Sequence, residues 1–269
     1  MRRALAVILL FAFVPASLRA QQGSYSDPSH LTPQQLEIEK QRRRLESSEA
    51  EERRDALMRL GAMKRPESSR VAVRALSDSS AIVRVTAAHA VLSLPADEAA
   101  TALLPLLQDR DEFVRQEAAY ALGETRSRAA VPALVILLEK EKKDGVRGAA
   151  TVALGQIGDE AAVVSLAQLV GRRGKKDENE FVRRAAARSL GQIGSRAAVP
   201  ALTALIADER VPADVRREAA HALGLIGDPS AAPSLRALLD STDPYLSRAA
   251  YEALVKIDPA NRSAGTSPE

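Results

Sequence analysis

The sequence predicts an all-α solenoid of about six and a half two-helix units, stacked behind an N-terminal capping helix. Three observations predict it. Five stretches align on a Val-Arg pair: "VRVTAAHAVL" at 83, "VRQEAAYALGETRS" at 114, "VRGAATVALGQIGD" at 146, "VRRAAARSLGQIGS" at 182 and "VRREAAHALGLIGD" at 215. With degenerate copies from 52 and 246, the spacings are 31, 31, 32, 36, 33 and 31 residues. Such a fixed period marks repeats that bury their apolar faces only by stacking. The 269 residues are 46% hydrophobic but only 3% aromatic. Alanine and leucine carry that fraction, which suits close-packed helices rather than strands. Within each copy the apolar positions 0, 4, 8 and 11 fall on one helical face.

The first element is not part of the fold. "MRR", the apolar run "ALAVILLFAFV" and "PASLRA" make the three-part pattern of a secretory signal over residues 1–20, with cleavage expected near Ala20. The run is short of the roughly 20 residues that span a bilayer, so no stable membrane insertion is expected after cleavage. Three basic residues, Arg2, Arg3 and Arg19, lie in this segment. The mature chain then carries 35 basic and 35 acidic residues, and the net charge of +3 falls to zero. Global attraction to nucleic acid is therefore not expected.

Residues 21–31 read as a flexible leader. At 32–35, Thr32 and Gln35 form a capping-box pattern with Pro33 at the first helical position, so a helix covers the first unit. A second box, Ser48 with Glu51, is expected to open the first repeat. In the first helix of each unit, Ala87, Ala118, Ala150, Ala186 and Ala219 occupy one position, and Val91, Leu122, Leu154, Leu190 and Leu223 another. The "LG" glycines Gly61, Gly123, Gly155, Gly191 and Gly224 recur, followed by a turn such as "IGD" that tolerates left-handed backbone and caps the next helix. Second helices read "AAVPALVILL", "AAVVSLAQLV", "AAVPALTALI" and "AAPSLRALL", with Pro132, Pro200 and Pro233 in the first turn. Asp111, and Asp243 before Pro244, are N-caps of following units. The solenoid is expected to span 32–257, and "DPANRSAGTSPE" at 258–269 reads as a disordered tail.

These residues resemble the HEAT-repeat family, and more narrowly the short HEAT-like repeats of phycobilisome lyase subunits. The resemblance covers about residues 50–257 and rests on five well-kept copies. It implies an α-solenoid with first helices on the convex side and second helices lining the concave side. It also implies a ladder in which a repeated Arg (Arg53, Arg84, Arg115, Arg147, Arg183 and Arg216) pairs with the Asp closing the preceding second helix, such as Asp78, Asp109 or Asp208.

No residue set spells out a reaction. With no Cys, thiolate zinc sites, disulfides and cysteine nucleophiles are excluded. The only histidines are His30, His89 and His221; the last two are four units apart and share no metal. HEAT-type deoxyhypusine hydroxylases carry paired "HE" motifs, and this chain has none. Nucleophile elbow, phosphate loop and "HExxH" are absent too. No cofactor is expected.

What remains is surface. Counting from the leucine triplets puts Arg74, Pro105, Ile136, Gln168, Ala204 and Ala237 on the outer side of successive second helices, the expected concave row. Pro105 and Ile136, flanked by Leu104 and Val135, are apolar for exposed helix, which suits either a docked partner segment or burial against the next unit. A second feature is the 36-residue spacing. It arises from "GRRGKKDENE", beside the loop "EKEKKDG". Lys140, Lys142, Lys143, Arg172, Arg173, Lys175 and Lys176 would share one basic edge, partly neutralised by acids; a plain solvated insertion is the other reading. The reading is an exported (periplasmic or secreted), monomeric, non-catalytic scaffold that binds a protein or peptide on its concave face. The alternative is an accessory subunit or lyase-like enzyme acting on a bound protein.

Overall fold

The computed structural model describes residues 31–171 and 179–258. The expected signal (1–20), the leader to residue 30 and the tail from 259 lie outside the described residues. The capping helix is α1 (Pro33–Arg44). First helices of successive units are α2 (Ala50–Ala62), α4 (Ala81–Ala90), α6 (Glu112–Thr125), α8 (Asp144–Ile157), α10 (Glu180–Ile193), α12 (Ala213–Ile226) and α14 (Pro244–Ile257). Second helices are α3 (Pro66–Ala72), α5 (Ala96–Leu103), α7 (Val131–Lys140), α9 (Val163–Gly171), α11 (Val199–Ala207) and α13 (Ala232–Arg236). Among the described residues these fourteen alternate as two antiparallel layers around a continuous Ala/Leu core that includes Leu122, Leu154, Leu190 and Leu223.

Local chemistry explains the boundaries. Thr32 and Gln35 close their capping box, with Pro33 at the start of α1. Asp111 and Asp243 accept from the first backbone N–H groups of α6 and α14. The expected box at Ser48 does not form. Glu49 is the N-cap of α2 without a side-chain cap bond, and its own N–H donates to Ser47 Oγ at 3.2 Å. The two-serine run lets the chain enter one residue later than the pattern suggests. Gly158, Gly194 and Gly227 end α8, α10 and α12 at φ of 70–74°, and Arg126 takes the same left-handed region after α6. Ser127, Asp159, Ser195 and Asp228 then cap short 3₁₀ turns that lead into the second helices.

The "LG" glycines serve a different purpose from these turn glycines. They are helical, and the next first helix presses on them. A Cβ at Gly191 would lie 2.8 Å from Ala222 Cα; one at Gly224 would lie 2.7 Å from Ala253 Cα. Successive first helices therefore touch backbone to backbone, whereas successive second helices meet far less extensively. A stack curves toward its shorter-repeat layer. We take the first-helix layer, with its shorter repeat, as the inner face, the reverse of the expected placement.

The Arg ladder runs along one edge of the loops. Arg53 Nε and Nη2 donate to both oxygens of Asp78 (2.7 and 2.8 Å), and Arg84 does the same to Asp109. Arg115 Nε donates to Glu141 at 2.8 Å. The carboxylate thus comes from the end of the following second helix, not the preceding one. The preceding loop supplies backbone carbonyls instead: Asp78 O accepts from Arg84 and Asp109 O from Arg115, each at 2.8 Å. Each arginine ties one loop to the next. The Arg53 hydrogen bond holds the Asp78 carboxyl below its usual range. Burial alone would lift Asp109 and Glu141, but hydrogen bonds from Arg84 and Arg115, with backbone N–H groups, bring both below it. Farther along, Arg147, Arg183 and Arg216 donate to the carbonyls of Leu138, Val170 and Ile206. Among the described residues, Arg183 and Arg216 form no ion pair, and Arg183 Nε is buried without a hydrogen-bond partner.

Candidate functional site

The inner face carries a lattice of contacts between neighbouring units. The residue just before the Val-Arg pair of one unit packs on the residue just after the pair in the unit before. Phe181 lies on Gly148, whose missing side chain leaves room for the ring. Arg184 Nη1 reaches Asp214 at 3.0 Å. The Arg217 guanidinium sits 5.6 Å from the Tyr245 ring centre, a cation–π distance, and 3.7 Å from Asp243. One helical turn on, Arg188 grips Glu218 through Nε and Nη2 at 3.0 and 2.9 Å. His89 pairs with Glu117 at 3.1 Å in the equivalent place upstream.

Between these contacts runs a cleft of about 450 Å³, lined by residues of α8, α10, α12 and α14, among them Phe181, Arg184, Arg188, Arg217 and His221. A second hollow, about 470 Å³, shares Arg217 and Ala249 with it and continues past Tyr245 and Arg248. The two form one groove across the C-terminal half of the inner face. Its guanidinium groups ride above their carboxylates: the Arg188 side chain is 61% exposed over Glu218 at 14%, and Arg184 44% over Asp214 at 27%. At the lip, a hydrogen bond with Asp214 pushes the Glu180 carboxyl up.

The row expected to line the groove is elsewhere. Arg74, Pro105, Ile136, Gln168, Ala204 and Ala237 are all exposed, and they lie on the second-helix layer, opposite the first-helix groove. Ile136 is 50% exposed, while Leu104 and Val135 are partly buried against the core. Arg172, Arg173, Lys175 and Lys176 of the expected basic edge lie outside the described residues. Lys140, Lys142 and Lys143 are exposed, and Lys143 Nζ meets Glu112 at 3.0 Å. Phe181, Arg184, Arg188, Arg217 and Tyr245 were missed, although they occupy equivalent places in the alignment. The signal was available: those places vary between copies and carry the polar and aromatic residues of otherwise Ala-rich helices.

Among the described residues, no group of three or more His, Cys, Asp or Glu is placed to hold a metal ion, and no helix is long and apolar enough to cross a membrane. His89 and His221 are both exposed on the inner face.

The stacked helix pairs and their inner groove define an α-solenoid. A family model of HEAT repeats matches residues 39–123, 100–174, 169–213 and 210–264, and the chain belongs to the HEAT-repeat family. It is similar to the phycocyanobilin lyase subunit alpha of Synechococcus elongatus (strain ATCC 33912 / PCC 7942 / FACHB-805), with 39% identity over 84 residues. That match spans 29% of this chain and 31% of the relative, so it reaches less than a third of the relative's length. Among solved structures, the complex of CpcE and CpcF of phycocyanin lyase from Nostoc sp. PCC7120 aligns with a TM-score of 0.50 and 23% identity. That alignment covers 88% of this chain and 92% of that one. An engineered protein aligns with a TM-score of 0.51 and 24% identity, covering 82% and 68%. At these identities the likeness is one of fold.

Proposed function

We propose that the protein is an exported scaffold whose inner, first-helix groove receives a segment of a protein partner. The groove that spans α8 to α14 supports this reading most directly. It is concave and lined by exposed aromatic and guanidinium groups on a rigid Ala/Leu frame, the composition of contact surfaces rather than of plain solvated helix. The secretory pattern at 1–20 supports export. The test uses a photo-crosslinking amino acid at position 188, at position 136, or at neither. Adducts from the 188 variant alone support the groove; adducts from the 136 variant alone move the site to the outer face. N-terminal sequencing of the protein from the envelope fraction should start near Gln21, and recovery of Met1 from the cytoplasm overturns export.

A second reading is favoured by the 39% identity to a phycocyanobilin lyase subunit. In it, the groove holds an acceptor protein while a bilin is attached to it, with this chain as an accessory subunit. Co-expression with a phycocyanin subunit and phycocyanobilin tests it. Covalent bilin that depends on this chain supports the second reading, and its absence leaves the scaffold.

A further inference from the structure

The charges presented in the groove bear on what it binds, a step that rests on the scaffold reading. Four arginines, Arg184, Arg188, Arg217 and Arg248, stand on three successive first helices. Each is already paired, with Asp214, Glu218, Asp243 and Glu252. The groups are close to balanced in number, yet not in height. Side-chain exposure runs to 44, 61, 35 and 74% for the arginines and to 27, 14, 24 and 47% for their carboxylates. A segment entering the groove meets guanidinium before carboxylate.

Geometry leaves those guanidinium groups with donors to spare. A guanidinium has five N–H bonds. Arg188 commits Nε and one Nη2 hydrogen to Glu218; Arg184 commits a single Nη1 contact to Asp214. The remaining N–H groups face the cleft or solvent and are in the planar, forked arrangement that fits a carboxylate. The paired acids hold the arginine side chains in advance, most firmly Glu218 beneath Arg188, so a ligand carboxylate costs less ordering entropy when it binds. A fifth acid, Glu180, shares a hydrogen bond with Asp214 at the lip.

We propose that the C-terminal half of the inner groove binds an acidic segment of a partner protein, with its carboxylates on Arg184, Arg188, Arg217 and Arg248. Adjacent packed helices are about 9–10 Å apart, so α10 to α14 spans about 20 Å, or about six residues of extended chain.

The test is fluorescence anisotropy with labelled hexaglutamate, using the full chain after signal removal. Binding is expected for hexaglutamate and not for hexalysine. It should weaken as salt rises, since the contacts are exposed. Arg188→Gln with Arg217→Gln should cut affinity about tenfold or more, while the outer-face variant Arg74→Gln changes nothing. Circular dichroism of the double variant keeps the comparison honest, and Arg188→Lys with Arg217→Lys gives a second variant with charge retained and the fork removed. Three results overturn the proposal: no hexaglutamate binding by the wild type, equal binding by the folded double variant, or complete displacement by equimolar inorganic phosphate. The last would mean that any small anion suffices. If crosslinking places the partner at 188 and hexaglutamate does not bind, the scaffold reading stands and the acidic preference falls.

Discussion

Arg84 and Asp109 form a bidentate ion pair between successive units, with both bonds at 2.7–2.8 Å and side-chain exposure of only 7 and 10%. Arg84 also donates to the Asp78 and Ser79 carbonyls, so one guanidinium fixes two loops. Asp109→Ala leaves a buried cation facing a void. Breaking a buried pair in this way costs about 3–5 kcal/mol. Chemical denaturation of the variant should show that loss. Glu252→Ala breaks the exposed Arg248 pair, within one helix, and should leave the midpoint unchanged. A loss at Asp109 no larger than at Glu252 would remove the ladder from the list of stabilising contacts.

The same ladder sets a pH dependence. Asp78, Asp109 and Glu141 all have carboxyl groups held below their usual range in the folded chain. For a depressed carboxyl, the stabilisation is complete above the unfolded value, about 3.9 for Asp and 4.3 for Glu. It is lost as pH falls through the lower folded value. Thermal unfolding should therefore shift little between pH 7 and 5 and drop below about pH 4. The Asp78→Asn and Asp109→Asn double variant should flatten that drop. An unchanged drop would place the acid-sensitive groups elsewhere.

Two glycines three residues apart should respond to alanine for different reasons. At Gly191 a Cβ would be 2.8 Å from Ala222 Cα and 2.9 Å from its Cβ, so α10 and α12 must part. Overpacking of this kind costs about 1–3 kcal/mol. At Gly194 a Cβ meets nothing within 4 Å, but φ is 74°. Alanine there carries only the left-handed strain of about 1–2 kcal/mol. Crystal structures or solution scattering of the two variants distinguish them: Gly191→Ala should open the curve of the solenoid, and Gly194→Ala should not.

That contrast also shows what the amino-acid sequence makes legible. Period, helix faces, proline positions and most caps follow from short-range rules, and Thr32, Asp111 and Asp243 stand where those rules put them. The direction of curvature does not. It depends on whether Gly191 against Ala222 brings helices closer than Leu134 and its neighbours do in the second layer, a difference of inter-unit distance that no single unit records. The choice of layer decides whether the groove is sought at Arg188 and Tyr245 or at Ile136. The ladder shows the same limit. Asp78 lies six residues before Arg84 and 25 after Arg53, and only stacking decides which arginine takes the carboxylate and which the carbonyl.

Nearest-neighbour stacking makes position along the array matter. Leu190 is fully buried in α10, between α8 and α12. Leu190→Ala should cost about 2–5 kcal/mol. Leu254 is nearly as buried, but α14 is stacked on one side only among the described residues. Leu254→Ala should cost less, because the terminal unit can fray without opening the rest. Equal losses in chemical denaturation would argue for one cooperative core rather than a chain of interfaces.

The two faces are separated most cleanly at Ile136. It is 50% exposed on α7, outside the buried triplet Leu134, Leu137 and Leu138. Ile136→Asp should fold, since surface changes usually stay within about ±0.5 kcal/mol. With the groove on the inner, first-helix layer, this outer-face charge should leave partner capture intact. Arg188→Glu should abolish it, by reversing the charge at the centre of the cleft above Glu218. The released Glu218 is the one complication, because it adds a second unpaired carboxylate there. Arg188→Gln removes the cation without adding an acid and should weaken capture by a smaller factor in the same direction. If Ile136→Asp loses the partner and Arg188→Glu keeps it, the apolar outer row is the binding surface and the inner groove is not.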